Sequence, residues 1–308
     1  MKATLTRANE IRTVRAYGDE IHVHLGSEVS GGKFTMFTDC TPPQMGPPPH
    51  FHTTEDEWWY VLEGKAEFFD GENWIAVAPG GAVFSPMNSL HSFRNVGDTT
   101  LKNITSLSPS GFEEFFSESQ AVFEQGGEPD MQKLIGIAAK RNIFFPTLVP
   151  EFASQQGKAT LPPAIVQPED GKVLHAFGEE VTFLLGAEHT GAKFAMFTEL
   201  TPPGGGPPPH WHEHEDEWFL VLEGTVSFYI DGQWHEANPG DAVLAPRKQV
   251  HTFKNNTSSP TKMLVHATSD NFERFITAAA AEFARPEGPD MGRAVQIAEE
   301  HGIHFVEP

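Results

Sequence analysis

The chain has 308 residues, of which 39% are hydrophobic, so it is long enough for two domains that each bury an apolar core. Its 42 acidic and 21 basic residues give a formal net charge of −21, which excludes nucleic acids and anionic membranes as expected partners. No apolar stretch reaches the roughly 20 residues of a membrane helix, and no signal peptide is visible, so we expect a cytoplasmic protein.

The sequence repeats itself, because residue n matches residue n + 160 over most of its length. Residues 47–50 (Pro-Pro-Pro-His) recur as residues 207–210, and His91 recurs as His251. A period of this size is that of a domain and not of a solenoid repeat. We therefore predict two copies of one domain, residues 1–146 and 147–308, with a Pro- and Gly-punctuated linker at about 147–170.

Each copy begins with short runs rich in Val, Phe, Trp and Tyr, separated by clusters of Gly, Pro and Asp. This pattern predicts a sandwich or barrel of many short strands and not a βαβ sheet. In the first copy the predicted strands are residues 57–62, 66–69, 74–77, 82–85 and 91–94. Residues 70–73 (Asp-Gly-Glu-Asn) predict a hairpin turn, which Asp231-Gly232 repeats in the second copy.

Helical patterning follows the strands of each copy. The predicted helices are residues 112–125, 130–141, 271–284 and 290–301. Asp130 and Asp290 each follow a proline and are candidate N-caps. Apolar runs at residues 143–145 and 303–305 could return as strands. The fold class is therefore mainly β: two tandem β-barrels, each with a short C-terminal helical appendix.

A set of metal-ligand residues lies in the first copy. His50 and His52 are two residues apart, so on a strand they present two imidazoles to one face. Glu57 has the wrong parity to join them unless a turn or bulge near residues 53–54 resets the register. The third histidine, His91, begins a later strand that an antiparallel arrangement can bring alongside.

The second copy repeats the set as His210, His212, Glu217 and His251. Imidazole and carboxylate ligands suit one divalent transition metal per barrel, from among Fe, Mn, Ni, Co, Cu and Zn. Four protein ligands leave coordination positions open, which is typical of a catalytic site and not of a sealed structural one. His214 also lies between the ligands of this copy, but Thr54 takes its place in the first, so we interpret His214 as a loop or supporting residue.

These lines resemble the two sequence motifs of the cupin superfamily, over about residues 15–110 and 175–270. The first motif contains the His-x-His pair, the glutamate and a closing glycine, which is Gly64 in copy one and Gly224 in copy two. The motif also begins with a glycine, which is Gly204 in copy two, whereas copy one has Gln44 at that position. The second motif joins Pro-Gly, a further Pro and His-x-x-x-Asn, and ends here at Asn95 and Asn255. The finer pattern is similar to quercetin 2,3-dioxygenase-like bicupins. That resemblance implies cupin jelly-roll barrels and often a ring-cleaving dioxygenase.

The leading functional hypothesis is a metal-dependent dioxygenase that acts on a phenolic, flavonol or enol-type small molecule, with dioxygen as co-substrate. By similarity, Glu57 and Glu217 would also be catalytic, taking the proton of the substrate hydroxyl. Strand parity gives a set of candidate residues for the substrate pocket, which equally fit a filled barrel core. These candidates are Trp59, Val61, Phe93, Phe219, Val221 and Phe253.

Two alternatives remain open. The same residues suit a metal-dependent cyclase, isomerase or lyase acting on a polyketide or sugar-derived substrate, and the identity of the metal discriminates this from a dioxygenase. A non-enzymatic bicupin that binds a small ligand is the other alternative, although both ligand sets are complete. A homodimer is compatible with the sequence.

Overall fold

A computed structural model describes residues 1–306, and the chain forms two compact units. The N-terminal unit contains residues 11–169, and the C-terminal unit contains residues 1–10 together with the chain from residue 170 onward. Residues 307 and 308, which close the second predicted domain, lie outside the described residues. No helix within the described part of the chain is long and apolar enough to cross a membrane.

Strand β1 (Thr4–Thr6) opens the chain, and the N-terminal unit follows. The strands of that unit are β2 (Arg12–Ala16), β3 (Asp19–Leu25), β4 (Thr35–Thr41), β5 (Phe51–His52), β6 (Asp56–Glu63), β7 (Ala66–Phe69), β8 (Trp74–Val77), β9 (Ala82–Ser85), β10 (Ser92–Asn95), β11 (Leu101–Ser108), β12 (Ile143–Phe144) and β13 (Ala164–Val166). Its α-helices are α1 (Ser27–Ser30), α2 (Phe112–Phe123) and α3 (Met131–Lys140), and a 3₁₀ helix spans Pro150–Gln155.

The C-terminal unit repeats this order of elements. After a 3₁₀ helix at Pro168–Asp170, its strands are β14 (Lys172–Ala176), β15 (Glu179–Leu185), β16 (Phe194–Thr201), β17 (His210–His212), β18 (Glu217–Glu223), β19 (Val226–Ile230), β20 (Gln233–Ala237), β21 (Ala242–Ala245), β22 (Thr252–Lys254), β23 (Thr261–Thr268) and β24 (Ile303–Phe305). Its helices are α4 (Ala187–Thr190), α5 (Asn271–Phe283) and α6 (Met291–Glu300).

Each unit is a jelly roll made of antiparallel sheets. The N-terminal unit has a seven-stranded sheet in the order β13-β9-β6-β11-β4-β3-β2, a three-stranded sheet β10-β7-β8 and the pair β12-β5. The C-terminal unit has the matching sheets β1-β21-β18-β23-β16-β15-β14, β20-β19-β22 and β17-β24. The mainly β, two-jelly-roll fold predicted from the sequence is confirmed, although the sheets are separate and not closed barrels.

Several predicted elements are present at their predicted places. Strands β7, β8 and β9 have the predicted bounds, and the four predicted helices form, each one or two residues shorter. The predicted turn at Asp231-Gly232 has two consecutive positive φ angles, 52° and 78°, as a type I′ hairpin requires. Asp130 caps α3 by accepting from the backbone N–H of Lys133, and Asp290 caps α6 in the same way.

The apolar run that ends each copy does return as a strand. Strand β12 pairs with β5, and β24 pairs with β17, so the returning strand lies beside the His-x-His strand in both units. The helices between the sheets and this strand pack apolar faces on the unit's core. The helical appendix is thus tied directly to the segment that contains the His-x-His pair.

The domain division differs from the predicted 1–146 and 147–308. Strand β1 pairs with β21 and belongs to the C-terminal unit, whereas β13, at the end of the predicted linker, pairs with β9 in the N-terminal unit. Both are three-residue edge strands whose partners lie far away in sequence. Local patterning carries no information about such long-range pairing.

Candidate metal centres

The N-terminal centre consists of His50, His52, Glu57 and His91. One ligand atom from each residue lies within 4.8 Å of the others, and all four side chains are buried. Oε2 of Glu57 is 3.2 Å from Nε2 of His52 and 3.0 Å from Nε2 of His91. The structure therefore brings together every residue of the predicted ligand set of the first copy.

Two features of the backbone assemble this centre. His50 and His91 form an antiparallel bridge in which each backbone N–H donates to the other's carbonyl, at 2.9 and 2.8 Å, so the third histidine lies beside the first. Between β5 and β6 the chain bends at residues 53–54, where a register change was predicted. Strand β6 then starts at Asp56. The bend lets the side chain of Glu57 face His52, on β5, and His50, just before β5.

The C-terminal centre has the same geometry, with His210, His212, Glu217 and His251 within the same 4.8 Å. Oε2 of Glu217 lies 3.1 Å from Nε2 of His212 and 3.0 Å from Nε2 of His251. His210 and His251 again form an antiparallel bridge. The exposed side chain of His214 is not part of this cluster, in accord with its interpretation as a loop residue.

Hydrogen bonds fix the tautomer of two histidines in each centre. Nδ1 of His50 lies 2.9 Å from the carbonyl of Pro48, and Nδ1 of His91 lies 2.9 Å from that of Ser89. A carbonyl oxygen can only accept, so Nδ1 carries the proton and the Nε2 lone pair faces the centre. His210 and His251 make the equivalent bonds to Pro208 and Gln249. This is the orientation in which histidine binds a metal.

The residues of both centres fit a metal ion. His52 and His212 are each 1% exposed, and the carboxylate oxygens that lie 3.1–3.5 Å from their ring nitrogens form no well-aligned hydrogen bond with them. An imidazole buried in this state is costly unless something charged or polar completes it. A cation shared by Nε2 of the histidine and the neighbouring glutamate satisfies that requirement, and the mixed N/O ligand set suits a divalent transition metal.

The electrostatics of the centres favour a bound cation. Burial raises the pKa of Glu57, but the neighbouring His52 and His91 lower it to about 2, so its carboxylate is ionised at neutral pH. Burial and the neighbouring His91 and His52 keep the pKa of His50 well below its usual value, so that ring is neutral. Burial lowers the pKa of His52, but Glu55 and Glu57 raise it to about 9, so this ring must lose its proton when an ion binds, because neutral imidazole and ionised carboxylate are the forms that bind metals.

The N-terminal centre opens into a cavity of about 470 Å³. His50 and Glu57 form part of its wall, and most of the remaining wall is apolar. Of the predicted pocket residues, Trp59 and Phe93 line it. Val61 does not; it lies further along β6 and packs in the core with Phe68 and Val77. The volume is within the range of roughly 300–1,000 Å³ that is typical of small-molecule sites.

The C-terminal centre has a much smaller cavity, about 60 Å³. Phe219 and Phe253 line it as predicted, whereas Val221 lies in the apolar core and is not among the lining residues. Such a volume is well below the roughly 300–1,000 Å³ that is typical of small-molecule sites. The two centres therefore share their ligands but not the space around them.

Each cavity wall also holds a pair of carboxyl groups that the sequence analysis missed. Asp19 and Asp39 line the N-terminal cavity, and Glu179 and Glu199, at the same places in the repeat, line the C-terminal one. Burial raises the pKa of Asp19 to about 7, and burial together with Asp19 and Glu57 raises that of Asp39 well above its usual value. A comparison of the two copies by side-chain charge, and not by residue identity, would have found this pair, because each aspartate of the first copy is a glutamate in the second.

A glutamate that the sequence patterns did not single out faces the middle histidine of each centre. Glu55 Oε2 lies 3.5 Å from Nδ1 of His52, and Glu215 Oε2 lies 3.4 Å from Nδ1 of His212. The signal was available, since this glutamate is identical in the two copies. It lies in the bend between two strands, where strand parity does not indicate which way a side chain points.

Comparison with known sequences places both copies in one family. The family model of the Cupin domain matches residues 37–106 and 197–267, which include all eight residues of the two centres. Quercetin 2,3-dioxygenase of Bacillus subtilis (strain 168) is 27% identical over 276 residues, 85% of this chain and 77% of that protein. Polyketide synthase CurC of Streptomyces cyaneus is 39% identical over 61 residues, 20% of this chain and 39% of that protein.

Solved structures share the two-unit fold. Protein Ylba from E. coli has a TM-score of 0.62 at 11% identity, with 87% of this chain and 91% of that chain covered. Oxalate decarboxylase of Bacillus subtilis, an enzyme studied for its Mn(II) centres, has a TM-score of 0.61 at 16% identity, with 100% and 89% covered. Because the family matches fall on both copies of the repeat and each copy folds as a jelly roll, the chain is a bicupin and belongs to the cupin superfamily.

Proposed function

We propose that the protein is a metal-dependent dioxygenase, similar to quercetin 2,3-dioxygenase, and that a flavonol or related enol-type phenol binds in the cavity of the N-terminal unit. The observation that carries this proposal is the joining of a metal centre to an apolar, aromatic-lined cavity of about 470 Å³. The identity of 27% to a quercetin 2,3-dioxygenase over most of both chains supports the same reaction class.

The residues of the N-terminal centre have distinct tasks in this proposal. His50, His52, Glu57 and His91 hold the ion. When bound there, a divalent transition metal would supply Lewis acidity, and a redox-active one would also supply one-electron chemistry. Oε2 of Glu57 faces His52 and His91, which leaves Oε1 to accept the proton of the substrate hydroxyl. Glu217 has the same surroundings in the C-terminal centre.

The cavity walls orient the substrate and exclude water. Trp59 lies against Phe68 and His91, with ring centroids 5.4 and 5.6 Å apart, so its indole is held rigidly beside a ligand. Phe112, at the start of α2, packs 5.3 Å from His52 on another side. Flat aromatic walls favour a flat aromatic substrate through dispersion and ring stacking.

Oxygen consumption tests this proposal. Metal-free protein is loaded separately with Mn, Fe, Co, Ni, Cu or Zn and given a panel of flavonols, while dioxygen uptake and substrate absorbance are followed. We expect substrate loss matched by oxygen uptake with at least one redox-active ion, and none with Zn, which serves as the control. Equal substrate loss under argon would exclude a dioxygenase.

A second candidate is a metal-dependent cyclase, isomerase or lyase that uses the ion only as a Lewis acid. The local similarity to polyketide synthase CurC supports this candidate, because it covers a 61-residue stretch at 39% identity. Such an enzyme would convert its enol substrate under argon and with Zn as readily as with other ions. The anaerobic arm of the same experiment therefore separates the two candidates.

A further inference from the structure

We propose that Glu55 and Glu215 are positioning residues for the ligands His52 and His212, and that the C-terminal centre binds its metal more tightly than the N-terminal centre. The inference rests on metal binding by the two centres and not on the dioxygenase reaction.

The middle histidine of each centre differs from its two companions. His50 and His91 direct Nδ1 to a backbone carbonyl, but Nδ1 of His52 faces the carboxylate of Glu55 at 3.5 Å. Nε2 on the opposite side of the same ring faces Glu57 at 3.2 Å. A carboxylate behind a metal-binding histidine fixes the orientation of the ring and makes it a stronger ligand.

The C-terminal carboxylate is anchored by hydrogen bonds to one oxygen, while the other faces the histidine. Glu215 is 1% exposed, and its Oε2 faces His212 at 3.4 Å. Its Oε1 accepts hydrogen bonds from Ser269 Oγ at 3.1 Å and from Asn271 Nδ2 at 2.9 Å. Asn271 itself is held by the main-chain carbonyl of His301 at 2.7 Å. Glu215 is therefore locked in the position that orients His212.

The N-terminal carboxylate lacks these anchors. The residues at the places of Ser269 and Asn271 are Pro109 and Gly111, which have no side-chain donor. The side chain of Glu55 is 11% exposed, and its Oε2, the oxygen that faces His52, also accepts a hydrogen bond from the exposed Thr54 at 2.6 Å. Glu55 is thus held by its sequence neighbour and not by the core of the unit.

This difference has a direct consequence for metal binding. A ligand already fixed in the binding orientation loses less freedom when the ion binds. We therefore expect metal-free protein to fill the C-terminal centre first. Loss of the supporting carboxylate should weaken binding at its own centre by about 10- to 100-fold.

Co²⁺ titration of single-centre proteins tests the proposal. His210→Ala leaves the N-terminal centre and His50→Ala leaves the C-terminal one, so each Kd is measured alone, by d–d absorbance and chelator competition. We expect the His50→Ala protein to bind Co²⁺ more tightly. In that background, Glu215→Gln should weaken binding about 10- to 100-fold, and Asn271→Ala should weaken it severalfold.

Glu213→Gln is the matched control, since Glu213 lies in the same bend but is exposed and faces His304 at 3.7 Å. The melting temperature of each metal-free variant separates positioning from folding, and Glu215→Gln should leave it unchanged. Equal Kd values at the two centres would overturn the predicted order of filling. Unchanged Co²⁺ affinity in Glu215→Gln, or an equal loss in Glu213→Gln, would overturn the positioning role.

Discussion

Asp19 and Asp39 place two carboxyl groups in the wall of the N-terminal cavity, where no lysine or arginine is among the lining residues of the described chain. The carboxyl of Asp39 is buried, and Asp19 lies against it on the neighbouring strand β3. Two carboxylates so placed cannot both ionise without repulsion, so the pair retains a proton at pH values where the unfolded chain has lost it. Such an arrangement reduces stability and is typical of functional sites.

Asp39→Asn should therefore stabilise the protein at neutral pH. Burial raises the pKa of Asp19 from 3.8 to about 7, so between these values the folded state holds more protons and its stability falls as pH rises. We expect the variant to gain roughly 2 kcal/mol at pH 7.5 and nothing at pH 4, measured by urea unfolding. The exposed Asp98→Asn is the control; an equal gain at both pH values would contradict this explanation.

The ligand residues could be predicted from the sequence because three signals coincide on them. His50 and His52 have strand spacing, His91 begins a later strand, and all recur with Glu57 at one offset. Asp39 has no such support, since its partner in space lies twenty residues away and its counterpart, Glu199, is a different residue type. Its role becomes visible only when the fold brings β3 and β4 together.

At the scale of elements, one turn connects each helical appendix to the metal-binding strand. The turn residue after α3 is Asn142, and the one after α6 is Gly302, with positive φ angles of 60° and 69°. Their carbonyls accept hydrogen bonds from the backbone N–H groups of Thr53 and Glu213, at 3.1 and 2.8 Å. The turn thus fixes the bend that directly follows the His-x-His strand.

Gly302→Val should disrupt this connection. A β-branched residue is strained at φ 69°, and a Cβ there would lie 3.0 Å from the His214 ring. We expect a loss of about 1–3 kcal/mol in the free energy of unfolding and a lower metal content of the C-terminal centre, measured by elemental analysis. Asn142→Gly, which keeps the left-handed conformation available, should leave stability almost unchanged; equal losses in both variants would contradict the role of the turn.

Elements with strong local patterning could be predicted, and those defined only by long-range pairing could not. Strands β7 to β9 combine apolar alternation with flanking turn residues, and Asp130 marks the start of α3. Strands β1 and β13 are three residues long, and their nearest pairs, Thr6 with Ala242 and Ala164 with Phe84, are 236 and 80 positions apart in the sequence. This is why the predicted domain boundaries differ from those of the structure.

At the scale of the whole molecule, duplication has kept both sets of metal ligands while the cavities have diverged from each other, about 470 Å³ against 60 Å³. Buried histidine and glutamate clusters are costly without an ion, so metal removal should destabilise the protein. We expect chelation to lower the melting temperature, with a loss of about 4 kcal/mol for each centre at which the free metal had been at 1,000 times that centre's Kd. An unchanged melting temperature would show that the clusters hold no metal in the loaded protein.

We propose that the protein has two metal centres and that only the N-terminal one binds a large substrate. The most direct test measures metal content and flavonol-dependent oxygen uptake in His50→Ala and His210→Ala. Each variant should lose about half of the bound metal; His50→Ala should lose oxygen uptake, and His210→Ala should retain most of it. Full metal content in both variants, or loss of uptake only in His210→Ala, would contradict these roles of the two centres.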